Sequence, residues 1–172
     1  RGLAERFNNR YGKTFSVPKP LIRKESARIM SFADPLKKMS KSDPNPKSYI
    51  RLVDSPKAIQ EKIKAAVTDS GKEISYDPKR KPAISNLLVI FSEFSGAAIP
   101  QLEKRFSGKS YAEFKAKLAE AVVAGLAPLQ RKLAEFEKRP AAVMAVLKDG
   151  NRRASAIADK TLAEVKQKIG FL

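Results

Sequence analysis

"AISNLLVIFSEFSG", Ala83 to Gly96, is apolar on nearly every side when wound as a helix. Such a helix has no wet face to offer, so it must be surrounded, and Gly96 marks its end. The chain is therefore expected to be mainly α. Toward the C-terminus, "AIPQLEKRF" (Ala98 to Phe106) reads as a short helix that stops at Ser107-Gly108. Ser110 and Glu113 have capping-box spacing and open a long helix carrying Phe114, Leu118, Val122, Leu129, Leu133 and Phe136. Pro128 is expected to kink or split it. Another helix restarts at Pro140, softens at Asp149-Gly150-Asn151 and ends at Gly170. Several antiparallel helices and no strand are predicted after residue 83.

Toward the N-terminus, "DSGKEISYDPKRKP" (Asp69 to Pro82) reads as an exposed loop with a hairpin-like turn. Ser55-Pro56 supplies an N-cap and a first-turn proline for a helix whose apolar face is Ile59, Ile63, Ala66 and Val67. Residues 13–50 contain Pro18, Pro20, Pro35, Pro44 and Pro46 and read as extended segments and loops around the apolar "RIMSF" (Arg28 to Phe32). "RGLAERFNNRYG" opens the chain as the end of a helix, with Gly12 after its last turn. Arg1 starts it without a cap, and the expectation is a stretch cut from something larger.

Composition narrows the partners. Thirty-five Lys and Arg stand against 18 Asp and Glu, a net charge of +17 over 172 residues. That excess attracts polyanions, so nucleic acid or a phosphorylated ligand leads. No apolar run reaches the roughly 18–20 residues needed to span a bilayer, and no membrane partner is expected. There is no Cys, which excludes disulfides and thiolate metal sites and makes the cytoplasm the default location. There is no His either, which removes the usual general base and the commonest metal ligand. Any catalysis must rest on positioned cations.

Those cations concentrate in "KKMSKSDPNP", Lys37 to Pro46. The run has no helical or strand period, and its prolines hold it out of regular structure. Lys38 and Lys41, three apart, can present two ammonium groups to one polyphosphate, with Ser40 and Ser42 as hydroxyl donors. A reaction that builds charge on a departing pyrophosphate needs this, because mobile lysines can follow the charge into the transition state.

"KMSKS", Lys38 to Ser42, resembles the signature loop of class I aminoacyl-tRNA synthetases. The longer run "KMSKSDPNPKSYIRLVDSPKAIQEKIKAAVTDS" (Lys38 to Ser70) resembles bacterial tryptophanyl-tRNA synthetase, as do "ARIMSFADPLKKMSKSD", "LAERFNNRYG" and "ISNLLVIFSEFSG". The resemblance covers the whole chain and is most specific over 28–96. It implies activation of L-tryptophan with ATP, release of pyrophosphate, and transfer of the tryptophanyl group to tRNA(Trp). Lys38, Ser40, Lys41 and Ser42 would line the pyrophosphate-facing loop, with Lys41 and then Lys38 stabilising transition-state charge. Ile29 and Met39 would contact the adenine, while Arg28 is open to a structural role. Mg2+ would arrive with ATP, and no metal site of the chain's own is expected. Family members are homodimers.

The resemblance also implies a part that these residues do not hold. A HIGH-type motif needs His, so that motif and most of the tryptophan pocket are expected in an N-terminal half, this chain being the C-terminal half and inactive alone. The expected organisation is residues 1–54 as the remnant of a Rossmann-like α/β catalytic domain with the KMSKS loop, 55–82 as a connecting helix and exposed loop, and 83–172 as a helical, anticodon-binding type domain. Lys148, Arg152 and Arg153, near the expected break at Gly150, are the candidate tRNA contacts; Lys132, Lys138 and Arg139 form a second basic cluster. Two other readings compete: a freestanding, non-catalytic RNA-binding helical module, and a basic adaptor for acidic proteins. The KMSKS string favours the ligase, since a pure RNA binder has little use for Lys38, Ser40 and Lys41 together.

Overall fold

The computed structural model describes residues 1–23 and 26–171. Among these, six helices form: α1 (Gly2–Tyr11), α2 (Pro56–Ala65), α3 (Pro82–Ser95), α4 (Ile99–Arg105), α5 (Tyr111–Glu137) and α6 (Pro140–Ile169). No strand forms among the described residues; Met30 and Lys38 make one isolated antiparallel bridge. The protein is mostly helical, and its residues group into two units, Arg23–Leu133, and Arg1–Ile22 with Ala134–Leu172.

The first unit is built around α3. Every residue from Ala83 to Phe91 is buried, as the all-round apolar pattern predicts. Against it lie Ile59 and Ile63 of α2, Leu102 of α4, Phe114, Leu118 and Val122 of α5, and the loop residues Phe32, Ile74 and Phe106. Each such side chain contributes about 1.5–3 kcal/mol through burial, so this cluster dominates the unit's stability. The Phe91, Phe106 and Phe114 rings meet at centroid distances of 5.6, 5.7 and 5.2 Å, the last pair edge to face. Gly125 lets α5 approach closely: a Cβ there would stand 2.5 Å from the Phe94 ring.

Caps fix the helix ends. Ser55 Oγ accepts the Ala58 N–H at 3.2 Å. Ser110 and Glu113 form the reciprocal box: Ser110 Oγ accepts the Glu113 N–H at 3.2 Å and Glu113 Oε2 accepts the Ser110 N–H at 3.0 Å. The α3 cap is remote: the Asp69 carboxylate accepts the Ala83 and Ile84 N–H groups at 3.2 and 2.8 Å. Asp77 accepts from Lys79 and Arg80, both at 3.0 Å, so 77–81 is a compact turn within the expected loop. α3 and α4 turn by 106° at their break, so these neighbours are not antiparallel. Of the two outcomes expected at Pro128, a kink or a split, the split does not occur. α5 runs through it, held on one side by buried Leu126 and on the other by Gln130, whose Nε2 donates to the Leu52 and Asp54 carbonyls at 2.9 and 3.0 Å.

The second unit contains α1 and α6, neither of which buries a residue. Asn8 organises the turn after α1: its Oδ1 accepts the Thr14 and Phe15 N–H groups at 2.9 Å and its Nδ2 donates to the Phe15 carbonyl at 2.8 Å. Lys168 Nζ donates to the Lys13 carbonyl at 3.0 Å and to Thr14 Oγ1 at 2.8 Å. The expected soft spot at Gly150 is absent; α6 is unbroken there. A glycine within a helix costs only about 1 kcal/mol, and Asp149 pairs with Arg152 and Arg153 across it at 2.8 and 2.9 Å. Gly170, at φ 83°, closes α6 with Gly170 N–H to Gln167 and Phe171 N–H to Lys166 at 3.2 and 2.8 Å.

Candidate nucleotide-binding site

Residues 29–31 and 37–39 form a minimal ribbon. Ser31 N–H donates to the Lys37 carbonyl at 2.8 Å, and Met39 N–H donates to the Ile29 carbonyl at 3.0 Å. The turn between them is set by Asp34: its carbonyl accepts the Lys37 N–H at 3.0 Å and its carboxylate the Leu36 N–H at 3.1 Å. That Leu36 bond, aided by the Lys37 ammonium at 3.3 Å, holds the Asp34 carboxyl below the usual carboxylate range. Phe32 ties the ribbon into the core, its N–H donating to Ser48 at 2.9 Å and its carbonyl accepting from Val67 at 2.8 Å.

On its other edge the ribbon meets a side chain instead of a strand. Met30 N–H donates to Asn86 Oδ1 at 2.8 Å, and Asn86 Nδ2 donates to the Met30 carbonyl at 2.9 Å. Asn86 is buried on α3.

Past Met39 the backbone becomes a train of local turns. Ser40 Oγ accepts the Ser42 N–H at 3.2 Å, Asp43 Oδ1 accepts Asn45 N–H at 2.8 Å, and Asn45 Oδ1 accepts Lys47 N–H at 3.0 Å. Pro44 and Pro46 occupy the middle positions of the last two, where a fixed φ helps and no N–H is needed. This is why the lysine-rich stretch stays out of regular structure. Lys38, Ser40, Lys41 and Ser42 are all exposed on it.

Alternation along the ribbon sorts the residues. Ile29 and Met39 are directly opposed and line one cavity of ≈ 260 Å³ with Phe32, Ile50, Ile90 and Phe94. Both also pack against the core, so they serve it as well. Glu93, at the same cavity, pairs with Arg23. Met30 and the exposed Arg28 lie at a separate recess of ≈ 290 Å³ with Tyr76, Pro78 and Asn86. Lys38, opposite Met30, leaves the ribbon on that second face.

Behind the loop, Asp54 is nearly fully buried and receives Lys62 Nζ at 2.5 Å, Arg51 Nε at 3.0 Å and the Arg51 N–H at 2.9 Å. Burial pushes its carboxyl upward, but those bonds outweigh it and the net shift is downward. Lys62 also stands 5.2 Å from the Tyr49 ring centroid. The chain thus gathers the expected phosphate-facing and adenine-facing residues on one ribbon and loop. Lys148, Arg152 and Arg153 lie in the other unit, mid-helix on exposed α6 rather than at a helix end. Sequence reasoning missed Asn86 and Asp54. The signal for Asn86 was visible: Ser85 and Asn86 are polar residues inside an otherwise apolar helix, and a polar group there needs a partner. Among the described residues no group of His, Cys, Asp and Glu could hold a metal ion.

A family model described as tRNA synthetases class I (W and Y) matches residues 1–127. Tryptophan–tRNA ligase 2 of Streptomyces avermitilis is 45% identical over 172 residues, covering 100% of this chain and 51% of the relative. The tryptophan–tRNA ligase of Bacillus subtilis is 46% identical, covering 99% and 52%. Among solved structures, tryptophanyl-tRNA synthetase from Mycoplasma pneumoniae superposes with a TM-score of 0.89 at 34% identity, over 99% of this chain and 51% of that one. The Campylobacter jejuni enzyme, complexed with ADP and tryptophan, gives 0.63 at 28% identity over 99% and 52%. The chain spans about half the length of the curated relatives it matches.

Proposed function

The chain belongs to the class I tRNA synthetases of the W and Y type, and from that premise we propose that it carries the signature-loop half of a tryptophan–tRNA ligase. In this reading the tryptophan carboxylate attacks the α-phosphorus of ATP, the bond to the β-phosphate bridging oxygen breaks, and pyrophosphate leaves. A ribose hydroxyl of tRNA(Trp) then takes the tryptophanyl group and AMP departs.

The observation that carries the reading is the coupling of Ile29 and Met39 to the lysine loop. An apolar cavity opens beside both residues, and the exposed loop that begins at Met39 carries Lys41, Ser40 and Ser42. The cavity wall would take the adenine, and the loop would take the β- and γ-phosphates. Neither Lys38 nor Lys41 forms an ion pair among the described residues, so both ammonium groups are available to a ligand. Placed where negative charge grows as pyrophosphate departs, they lower the barrier more than they tighten ground-state binding. Mg2+ would come with the triphosphate; the residues here offer it no carboxylate cluster, and no step is assigned to it.

The rest of the reading places the HIGH-type motif, most of the tryptophan pocket and most of the dimer surface in the other half of the enzyme. The absence of His from these 172 residues supports that division. Residues 1–54 would then be the end of a Rossmann-like catalytic domain, with the helical region from 83 onward binding the anticodon end through Lys148, Arg152 and Arg153. The full enzyme would be a cytoplasmic homodimer, and this half alone inactive. The test is exchange of labelled pyrophosphate into ATP by the natural gene product. Exchange that depends on tryptophan is expected. Exchange that depends on tyrosine, or none in a folded protein, would overturn the reading.

A further inference from the structure

Asn86 does what a third strand would do. In a non-hydrogen-bonded antiparallel pair such as Met30 and Lys38, each residue's own N–H and C=O face away from the partner. For Met30 both groups are met by one side chain, at 2.8 and 2.9 Å. That side chain leaves the middle of α3, whose residues 83–91 are all buried. Among the described residues no other tie between ribbon and core has this character: Phe32, one step beyond, is tied to loop backbone, and past Met39 the chain is held by its own local turns.

We infer that Asn86 is the positioning residue of the signature loop: its amide pins the Met30 backbone to the rigid core helix, fixing the root from which the Lys38–Ser42 segment moves. The inference rests on the ligase reading for its catalytic consequence, though not for its structural one. A fixed root keeps Ile29 and Met39 aligned as one wall while Lys41 travels with the leaving phosphates. The amide is matched to the task because it carries a donor and an acceptor side by side. Leu fills similar volume with neither, and a carboxylate offers only acceptors.

The test uses the natural gene product with Asn86→Leu and Asn86→Asp. In pyrophosphate exchange, Asn86→Leu should lower kcat by about 10-fold or more, as misplacement of a catalytic group does, while KM for tryptophan stays within about twofold. Asn86→Asp should be poor when ionised and recover as pH falls, because the neutral acid again offers one O–H donor and one acceptor. Wild type would not share that acid-side recovery. A merely structural role predicts something else: loss of activity in proportion to loss of folded protein, with no kcat-selective effect and no recovery of the Asp variant. Either result would overturn the inference. Amide hydrogen exchange separates it from the ligase reading. In wild type the Met30 amide should be protected; in Asn86→Leu its protection should fall while amides of α3 keep theirs. If wild type shows no tryptophan-dependent exchange, the ligase reading fails, and unchanged Met30 protection in the variant sinks the positioning claim on its own.

Discussion

Met39 and Ile29 are directly opposed on the ribbon, joined by a backbone hydrogen bond of 3.0 Å, and their side chains border the same cavity. Lys41, two residues further on, is exposed and held only by the local turn around Ser40. The two residues should therefore fail differently when truncated. On the ligase reading, Met39→Ala removes an apolar wall that would meet the nucleotide in ground and transition states alike, so KM for ATP should rise about 5- to 10-fold with kcat little changed. On the same reading, Lys41→Ala removes a charge that would matter most when pyrophosphate is leaving, so kcat should fall by about 100-fold with a small change in ATP affinity. Steady-state pyrophosphate exchange on the full gene product reads both. Equal losses of ATP affinity and kcat in Lys41→Ala would argue against its transition-state role.

Asp54 should set an acid limit on the unit that carries the loop. Its folded carboxyl lies below the ordinary value of 3.8, because Lys62 and Arg51 outweigh the cost of burial. A depressed carboxyl stabilises the fold fully above its unfolded pKa and ceases to do so as pH falls through the lower, folded one. Asp54→Asn leaves the mostly buried Lys62 without its carboxylate. The expected cost at neutral pH is about 3 kcal/mol, the order found when one partner of a buried pair is removed. The gap between variant and wild type should narrow below about pH 4, and denaturant unfolding across pH 2–7 measures it. A gap that widens in acid would contradict the assignment.

The helices were legible because each carries its own instructions. α3 announces burial by being apolar all round, α5 by Ser110 and Glu113, α2 by Ser55-Pro56. Two interruptions do not form. At Pro128 tertiary contacts that a local reading cannot weigh, through Gln130 and Leu126, keep α5 in one piece; at Gly150 the cost of one helical glycine is small and α6 runs on. The family was legible in a string, Lys38 to Ser42, and the run that follows it. What holds the string in place was not. Asp69 caps a helix 14 residues away, and Asn86 pairs with a residue 56 positions distant. A one-dimensional reading has no spacing rule for such partners; it can only mark a polar residue in an apolar helix as needing one.

Ser48 has no exposed surface, and its Oγ has no hydrogen-bond partner among the described residues. Its backbone is needed, since its carbonyl accepts the Phe32 N–H and its own N–H donates to Asn45. A buried hydroxyl without a partner is a cost that alanine removes while leaving those backbone bonds intact. Ser48→Ala should therefore match or exceed wild-type stability, by up to about 1 kcal/mol, seen as a Tm rise of about 2–4 °C. A Tm drop of similar size would mean that the hydroxyl does have a partner.

On α6, one carboxylate offsets two guanidiniums: Asp149 lies 2.8 Å from Arg152 and 2.9 Å from Arg153, while Lys148 beside it forms no ion pair among the described residues. If this stretch meets tRNA phosphates, Asp149 weakens the encounter by occupying both arginines and by repelling the backbone. These pairs are exposed and should contribute little to stability, about 0.3–0.5 kcal/mol each. Asp149→Ala should thus leave Tm within a degree or two of wild type and raise tRNA affinity about two- to threefold in low salt. The slope of log affinity against log salt should steepen by about 0.9 for each further phosphate that the freed arginines neutralise. Arg152→Ala should flatten the slope by a like amount. Filter-binding titrations at several salt concentrations separate the outcomes. Unchanged slopes in both variants would place the RNA contact elsewhere on this +17 chain, with the Lys138 and Arg139 cluster the next region to test.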